Sequence, residues 1–375
     1  MAVSIAEHFA ELPDPRRAKG KRHPLIVILT IALMAVICGN DDFEGMEEFG
    51  LTKRPWLAGV LDLAHGIPTA DTFRRVFARL DPEAFERCFM SWMQGLVGSL
   101  HGKLIAIDGK TLRRSFESAW NPHSAVHMVS AFVQANSLVF AQVAVADKSN
   151  EITAIPMLLE LLDLHGATVS IDAMGCQKNI ARKIKEGGGE YVLALKGNQG
   201  ILQAKVQTLL EEAVKQDFKG MIHETYQETD AGHGRIEKRT CWITPEVDHL
   251  GEAAMGFTGL AGVAMVESQR EIMGGKVTRE RRYYLFSHQE VTAELMACFV
   301  RGHWSVENNL HWMLDVQFKE DQSRVRVGHA AENLSRVRRA ALNLLKQENT
   351  CRKGIAIKRL KAGWDTDYLL KVLQM

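Results

Sequence analysis

Hydrophobic positions recur with different spacings along the chain, and each spacing predicts a different kind of element. From residue 1 to about 98, apolar residues recur every three or four positions, as in "TADTFRRVFARL" (69–80), which predicts a small helical bundle. From residue 103, short aliphatic runs such as "KLIAIDG" (103–109) alternate with helical segments and predict strands. Residues 216–290 contain three or four strand-like runs rich in Arg and Glu, and helical spacing returns at about 291.

These changes of pattern divide the chain into regions with different predicted structures. Three successive strand-like runs precede alternating helix and strand, so the predicted fold class is α/β. We expect a mixed sheet with its ligand site at the carboxyl ends of the strands. The predicted regions are a helical N-terminal domain (1–98), the first part of the α/β domain (99–215), a β-strand insertion (216–290), the final helices of the α/β domain (291–345) and a basic helical C-terminal segment (346–375).

Composition and charge narrow the possible classes of function. Hydrophobic residues make up 46% and charged residues 24% of the 375 residues, as in globular rather than disordered chains. The net charge of +1 means that a nucleic-acid surface would need locally concentrated positive charge. Six cysteines without a CxxC pair argue against disulfides or a zinc ribbon and favour the cytoplasm. The run "PLIVILTIALMAVICG" (24–39) is shorter than the about 20 residues that span a bilayer, so it predicts a buried helix and no membrane partner.

Two aspartates stand where predicted strands end. Asp108 closes the aliphatic run in "LIAIDG" (104–109), Asp172 closes the run in "VSIDAMG" (169–175), and both precede small residues. An aspartate at such a point often caps the following helix, so one alone is a weak indication of a site. Because adjacent parallel strands end side by side, two of them favour a shared site.

A third acid, Glu307, lies in the otherwise apolar segment "RGHWSVENNLHWMLD" (301–315). A buried acid needs compensation, and a divalent cation shared with Asp108 and Asp172 would provide it. Sites made of carboxylate oxygens favour Mg²⁺, with Mn²⁺ as a substitute, over zinc. The sequence therefore predicts a magnesium site formed by three acids that are far apart in the chain.

The same segment has alternative interpretations. Helical spacing places four residues on one face: His303, Glu307, His311 and Leu314. The two histidines and the glutamate could ligate zinc, although three ligands over two helical turns diverge around one ion. The histidines could also belong to a packed face, or contact phosphate or a metal. Trp304 and Trp312, on a neighbouring stripe, are expected to be packed.

Basic clusters could supply the local positive charge. Lys110, Arg113 and Arg114 follow Asp108 and suggest a basic rim for a polyanionic substrate. From Arg324 to Lys361, eleven Lys or Arg residues face only two Glu, which favours a phosphate-contacting surface beside a carboxylate site, although a charge run is usually just a solvated face. Other arginines could contact DNA or form cross-strand ion pairs in the insertion: Arg235, Arg270, Arg279, Arg281 and Arg282.

Motifs along most of the chain resemble those of the DDE insertion-sequence transposases, in the branch that includes the H-repeat-associated proteins. The segment "FAELPDPRRAKGKRHPLIVILTIALMAVICG" also looks like the helical domain that accompanies their catalytic domain. The motifs are "AIDGKTLRRS" (106–115), "SIDAMGCQKNIARKI" (170–184), "LALKGNQ" (193–199), "GHGRIEKR" (232–239) and "RGHWSVENNLHWMLDVQFKED" (301–321).

The resemblance implies an RNase H-like catalytic domain with a β-rich insertion before its last acid, preceded by a DNA-binding or accessory helical domain. Its catalytic and metal-binding triad falls on Asp108, Asp172 and Glu307. It implies two-metal strand cleavage and strand transfer on double-stranded DNA, at terminal inverted repeats and target DNA, by a homodimer on paired ends. The alternatives are an RNase H-fold nuclease and a domesticated DNA-binding relative, both without strand transfer.

One departure from the family affects the expected DNA contacts. Related transposases often carry a tyrosine, an arginine and a lysine around the final glutamate, where this chain has Val300, His303 and Leu314. Nearby polar residues are the expected substitutes. The predicted DNA-contacting residues are Lys110, Arg113, Arg114, Lys196, Arg235, Arg301, His303, Asn308, His311, Arg324, Arg326, Arg338 and Arg339.

Overall fold

The structure is a computed structural model that describes residues 5–18, 21–116, 125–145, 151–232, 234–272, 275 and 277–374. Its elements follow the order predicted from the sequence: helices, an α/β region, a run of strands, and helices again. The predicted α/β fold class is confirmed, with a mixed sheet, a β-rich insertion and a helical N-terminal region.

The strands of the described residues belong to a single sheet. They are β1 Leu104–Thr111, β2 His127–Val133, β3 Leu138–Val145, β4 Thr168–Ile171, β5 Glu190–Leu195, β6 Glu224–Gly232, β7 Arg235–Thr244, β8 Gly262–Ile272 and β9 Val277–Phe286. Their order is β3-β2-β1-β4-β5-β9-β8-β7-β6. The first three are antiparallel neighbours, whereas β4 and β5 run parallel to β1. This mixed pairing is the one expected of an RNase H-like domain.

Helices cover the part of the sheet that carries the predicted acids. Every residue of β2 and β4 is buried, so both faces of these strands are covered, and such strands read as continuous apolar runs. The helices of this region are α7 Glu151–Glu160, α8 Lys178–Glu186, α9 Gly200–Lys215 and α10 Ala293–Val306; the helices before it are given below. Strand β4, which Asp172 follows, is therefore held in a packed core.

The strands of the insertion extend the central sheet. Strand β9 pairs antiparallel with β5, and β8, β7 and β6 follow outward. Toward their distal ends these strands are exposed, and opposite charges face each other across them. Arg270 Nη2 lies 2.9 Å from Glu237 Oε1, and Arg281 Nε lies 2.7 Å from Glu267 Oε2. For these two arginines, the predicted alternative of cross-strand ion pairs is confirmed.

The N-terminal region is helical, and its longest apolar run is buried. Helix α2, Leu25–Ile37, has eleven buried residues, which confirms the predicted buried helix. Within the part of the chain that the structure describes, no helix is both long enough and apolar enough to cross a membrane. The helices are α1 Ile5–His8, α2 Leu25–Ile37, α3 Phe43–Thr52, α4 Arg54–Leu57, α5 Ala70–Arg79 and α6 Pro82–Val97.

One long helix joins the N-terminal helices to the sheet. The last helices are α11 Trp312–Gln317, α12 Ala330–Gln347, α13 Ile355–Trp364 and α14 Thr366–Leu373. Helix α12 packs against α2, α5 and α6, and also against β3. One hydrophobic cluster contains residues from all of these elements. The core is thus continuous across residue 98, and the division of the chain into domains stays a prediction.

Candidate active site

Asp108 and Asp172 lie at neighbouring positions because their strands are parallel neighbours. Ile107 of β1 pairs with Ile171 of β4, and each aspartate is the next residue of its chain segment. Asp172 follows the end of β4, and its Oδ1 accepts a hydrogen bond from the backbone N–H of Met174 at 3.0 Å. Asp108 stays inside β1, which continues for three more residues, so the prediction that its strand ends at this aspartate is wrong. The sheet therefore fixes the spacing between these two acids.

Glu307 comes from a helix that changes its winding at this residue. Helix α10 ends at Val306, a π-helical turn spans Glu307–His311, and the backbone N–H of Trp312 donates to the Glu307 carbonyl. A π turn adds one residue to a helical turn, and such turns are frequent at functional sites. Within this turn His311 faces β1, and its Nε2 lies 2.9 Å from Asp108 Oδ2.

Three side chains offer converging metal-ligand atoms. Asp108, Glu307 and His311 each contribute one, and these atoms lie within 4.8 Å of one another. Asp172 and His303 are outside this group, but they line the same cavity, of 390 Å³, as Asp108 and Glu307. The predicted zinc alternative required His303, and in the described residues Asp108 takes its place in the converging group. His311 is 5% exposed and faces the acid, so the prediction that it contacts DNA is wrong for this structure.

The two aspartates have different electrostatic environments. At Asp108, burial raises the pKa, but the hydrogen bond from His311 and the charge of that residue outweigh it, and the pKa is lowered. At Asp172, burial and then the charge of Asp108 raise the pKa. Burial lowers the pKa of His303, whose Nδ1 lies 3.1 Å from Ser170 Oγ. Two acids that repel each other in this way are the pair that a bound cation would stabilise.

Trp304 and Trp312 are exposed, so the prediction that both are packed is wrong. Their exposed fractions are 46% and 47%. The guanidinium of Arg282 lies 3.9 Å from the ring centroid of Trp304, and Arg282 is also held by Glu280 at 2.9 Å. Trp304 lines the cavity of the acids and a neighbouring cavity of 410 Å³. The stacked Arg282 and Trp304 side chains thus line both cavities. This position could not be inferred from the apolar pattern of the segment alone.

Most of the predicted DNA-contacting residues lie at the surface. Lys196 lines the cavity of the acids. Arg301 and Arg113 already pair with acids, at 3.1 Å from Glu228 and 3.2 Å from Asp321. The half-buried residues of the set are His303 and Arg326. The exposed residues are Arg113, Arg114, Lys196, Arg235, Arg301, Asn308 and Arg324.

Other predicted DNA contacts lie inside the protein, and for them the prediction is wrong. Lys110 is 8% exposed, and its Nζ lies 2.6 Å from Asp315 Oδ1. Arg338 is 2% exposed, and the fully buried Arg339 pairs with Glu320 at 3.1 Å. Buried cations need such partners, which leaves them unable to bind phosphate. Further members of the predicted basic surface are also buried: Arg336, Lys358 and Arg359.

A buried pair behind Asp108 had no recognisable signal in the sequence. His127 of β2 and Glu151 of α7 are 1% and 6% exposed and form an ion pair. His127 Nδ1 also lies 2.9 Å from Thr111 Oγ1 of β1. The charge of Glu151 contributes to the raised pKa of Asp172. The pair thus adds a carboxylate close to the predicted ones.

Comparison with known proteins identifies the family of this chain. The family model for the transposase DDE domain matches residues 100–344, and the model described as DDE_Tnp_1-associated matches residues 6–93. The matched ranges cover most of the N-terminal helices, the whole sheet and most of α12.

Similar proteins extend over nearly the whole chain. The "H repeat-associated putative transposase YhhI" of Escherichia coli (strain K12) is 38% identical over 372 residues, which are 98% of this chain and 97% of the relative. The "Putative protein YbfL" of the same organism is 39% identical with the same coverage. The "Uncharacterized protein in dhlA 3'region" of Xanthobacter autotrophicus is 46% identical over 282 residues, 75% of this chain and 93% of the relative. The chain therefore belongs to the DDE transposase family, in the group that includes the H repeat-associated proteins.

Proposed function

We propose that this transposase cleaves DNA strands at the ends of an insertion sequence and transfers them to target DNA, with Asp108, Asp172 and Glu307 as its catalytic acids. One observation carries the proposal. These three carboxylates come from β1, the end of β4 and the π turn, yet they line one cavity of 390 Å³. A transposase needs no covalent protein nucleophile if divalent ions activate water or a DNA 3′-hydroxyl.

The residues present fit a divalent cation. Ligand atoms of Asp108, Glu307 and His311 lie within 4.8 Å of one another. Burial and then the charge of Asp108 raise the pKa of Asp172, and a cation bound beside the two acids would favour their ionised forms. Carboxylates favour Mg²⁺ or Mn²⁺, and one imidazole is also compatible with Mn²⁺. We propose Mg²⁺ as the natural ion and Mn²⁺ as its substitute.

The side chains of the site have separate roles in this mechanism. When bound, divalent ions supply Lewis-acid activation of the attacking oxygen and charge stabilisation of the leaving oxygen. Asp108, fixed inside β1, and Glu307, fixed in the π turn, would hold such an ion through ligand atoms that lie within 4.8 Å of each other. His311 Nε2 lies 2.9 Å from Asp108 Oδ2, which holds the imidazole beside the carboxylate with which it would bind the cation. The Trp304 ring limits the open space beside Glu307.

The substrate we propose is double-stranded DNA, at the terminal inverted repeats and at the target. Exposed cations near the cavity support this proposal. Lys196 lines the cavity itself, and Arg235 lines the neighbouring one. Arg114 and Arg324 are also exposed and would contact phosphates. We further propose a homodimer on paired ends, since strand transfer joins two ends to one target.

The test is cleavage and joining of a plasmid that carries the element's ends, with Mg²⁺ and then Mn²⁺. Asp108→Asn, Asp172→Asn and Glu307→Gln should each abolish both steps, because each removes a charge from the cavity. The control is Glu294→Gln. This substitution neutralises an exposed acid in helix α10 that does not line the cavity. Wild-type cleavage by Asp108→Asn would reject the assignment of the acids. Cleavage without joining would instead indicate a nuclease.

A further inference from the structure

Lys346, near the end of α12, makes contacts that connect three separate elements. Its Nζ donates to the carbonyl of Asn309 at 2.7 Å and to the carbonyl of Ser137 at 2.8 Å. The ammonium also lies 5.2 Å from the ring centroid of Phe132 in β2. Ser137 ends the turn between β2 and β3, and Asn309 is the central residue of the π turn. One side chain thus connects α12, the sheet and the turn that carries Glu307.

Burial of the Lys346 ammonium group costs folding free energy. Burial lowers the pKa of Lys346 to about 7, and no carboxylate among the described residues compensates for its charge. A methionine of similar length would fill the same space without that cost. We expect a buried ammonium group without a carboxylate partner only where its hydrogen bonds serve a further purpose in the structure. Here both hydrogen bonds go to backbone carbonyls, those of Ser137 and Asn309, to which a methionine could not donate.

Helix α12 is a firm base for this contact. Three residues earlier, Asn343 accepts from the backbone N–H of Val139 at 3.0 Å and donates to the Val139 carbonyl at 2.8 Å. Asn343 is fully buried, so the helix is fixed against β3 at this level. The position of Lys346 Nζ is therefore tied to the sheet that also carries Asp108. The hydrogen bond from Lys346 to the Asn309 carbonyl therefore fixes the π turn relative to the sheet.

The contact acts on the ligand group through a short path. Asn309 lies two residues from Glu307 and two residues from His311, which supply two of the three converging ligand atoms. A π turn and an α turn differ by one residue, so a helix that relaxes at this point rotates every following residue by about 100°. A rotation of that size would move His311 away from Asp108.

We propose that Lys346 is a positioning residue for the candidate metal site: its hydrogen bond to Asn309 holds the π turn in the winding that presents Glu307 and His311 to Asp108. This inference rests on the proposed function, since it concerns the same metal ligands. Lys346 touches neither substrate nor metal. Its effect must therefore show in metal affinity before it shows in any reaction.

The experiment measures Mn²⁺ binding to the full chain without DNA, by isothermal titration and by electron paramagnetic resonance. Lys346→Met should weaken binding about 10- to 100-fold, as loss of an outer partner of a metal ligand does. Lys346→Arg, which keeps a donor and the charge, should recover part of the affinity. Lys346→Gln carries the same comparison if the methionine variant does not fold, because its amide reaches one carbonyl at most.

The matched control is Lys358→Met. Lys358 is buried and donates to a backbone carbonyl of the same helix, that of Leu345 at 2.7 Å, but it has no contact with the π turn. Its replacement should lower thermal stability and leave Mn²⁺ affinity at the wild-type value. Wild-type affinity in a folded Lys346→Met variant, or equal losses in both variants, would overturn the inference. If the wild-type protein bound no Mn²⁺, or if Asp108→Asn left Mn²⁺ binding unchanged, the proposed function itself would be overturned.

Discussion

Replacing Gly109 with alanine is expected to displace Asp108, because the added Cβ atom would collide with side chains packed against strand β1. A Cβ atom on Gly109 would lie 2.3 Å from Glu151 Oε1 and 2.3 Å from His127 Nε2. Ordinary van der Waals contact begins at 3.4 Å, so the neighbours or the strand must move by about 1.1 Å. His127 and Glu151 are buried and paired with each other, which leaves them little space. Strand β1, and Asp108 with it, is the part expected to shift.

The magnitude has a stability part and a catalytic part. Overpacking in a well-packed core costs about 1–3 kcal/mol of unfolding free energy. A displacement of about 1 Å at a reacting group lowers a rate about 100-fold, which corresponds to ~2.7 kcal/mol in the activation free energy. Because Asp108 is the residue before Gly109, it receives the displacement directly. Gly109→Ala should therefore fold, lose stability and cleave DNA ends about 100-fold more slowly.

Urea unfolding gives the stability, and Mg²⁺-dependent cleavage of a plasmid with the element's ends gives the rate. Gly95→Ala is the control, because Gly95 lies in α6 and nothing is within 4 Å of an added Cβ. Alanine there should raise the free energy of unfolding by about 0.5–1 kcal/mol, with cleavage unchanged. If Gly109→Ala kept both the stability and the cleavage rate of the wild type, the packing argument would be refuted.

Three further predictions test burial, charge and pH dependence. Glu320→Ala leaves the guanidinium of Arg339 unpaired where both side chains are 0% exposed, and urea unfolding should show a loss of about 3–5 kcal/mol; a loss below about 1 kcal/mol would contradict it. Lys196→Ala should reduce the salt slope of DNA affinity by about 1, and an unchanged slope would exclude a phosphate contact. Burial raises the pKa of Glu348, but hydrogen bonds from Thr350, Tyr368 and the backbone outweigh it and lower the pKa to about 2. This folded value is below the model-compound value of 4.5, so the carboxylate stabilises the fold above that pH and loses its contribution as the pH falls toward about 2. Thermal unfolding of Glu348→Gln should therefore depend less on pH in this range, and a curve parallel to that of the wild type would be the contrary result.

The positions of the two aspartates could be predicted because their signal is local. A run of aliphatic residues followed by an acid and small residues places the acid in or just after a buried strand, and the parallel pairing of β1 with β4 brings the two acids to neighbouring positions. Glu307 had no comparable local signal of its own. It could be proposed from the resemblance of a long motif. The other argument, that a buried acid needs compensation, was wrong for Glu307, because its side chain is exposed.

The burial of the basic residues could not be predicted, because their partners are far away in the chain. Arg336, Arg338 and Arg339 lie in a run of positive charge, which in most proteins faces solvent. Their partners include Glu86, which precedes Arg336 by 250 residues, and Glu320 from the segment before α12. No spacing of residues within a short sequence segment indicates such a pair. The same holds for the π turn, since α and π turns both keep residues four apart near one face.

Helix α12 is where the distant segments that hold the site meet. Arg336 Nε donates to Glu86 Oε2 of α6 at 2.8 Å, and Glu86 Oε1 accepts from the backbone N–H of Gln142 in β3 at 2.8 Å. Glu86 is 4% exposed, and a chain without α6 would leave the buried Arg336 guanidinium with only the more distant carboxylate of Glu332, at 3.4 Å, which would cost stability. About one turn before it ends, the same helix carries Asn343, and then Lys346 with its contact to the π turn. The N-terminal helices are therefore a structural part of the unit that holds the three acids together, in addition to any contact that they make with DNA.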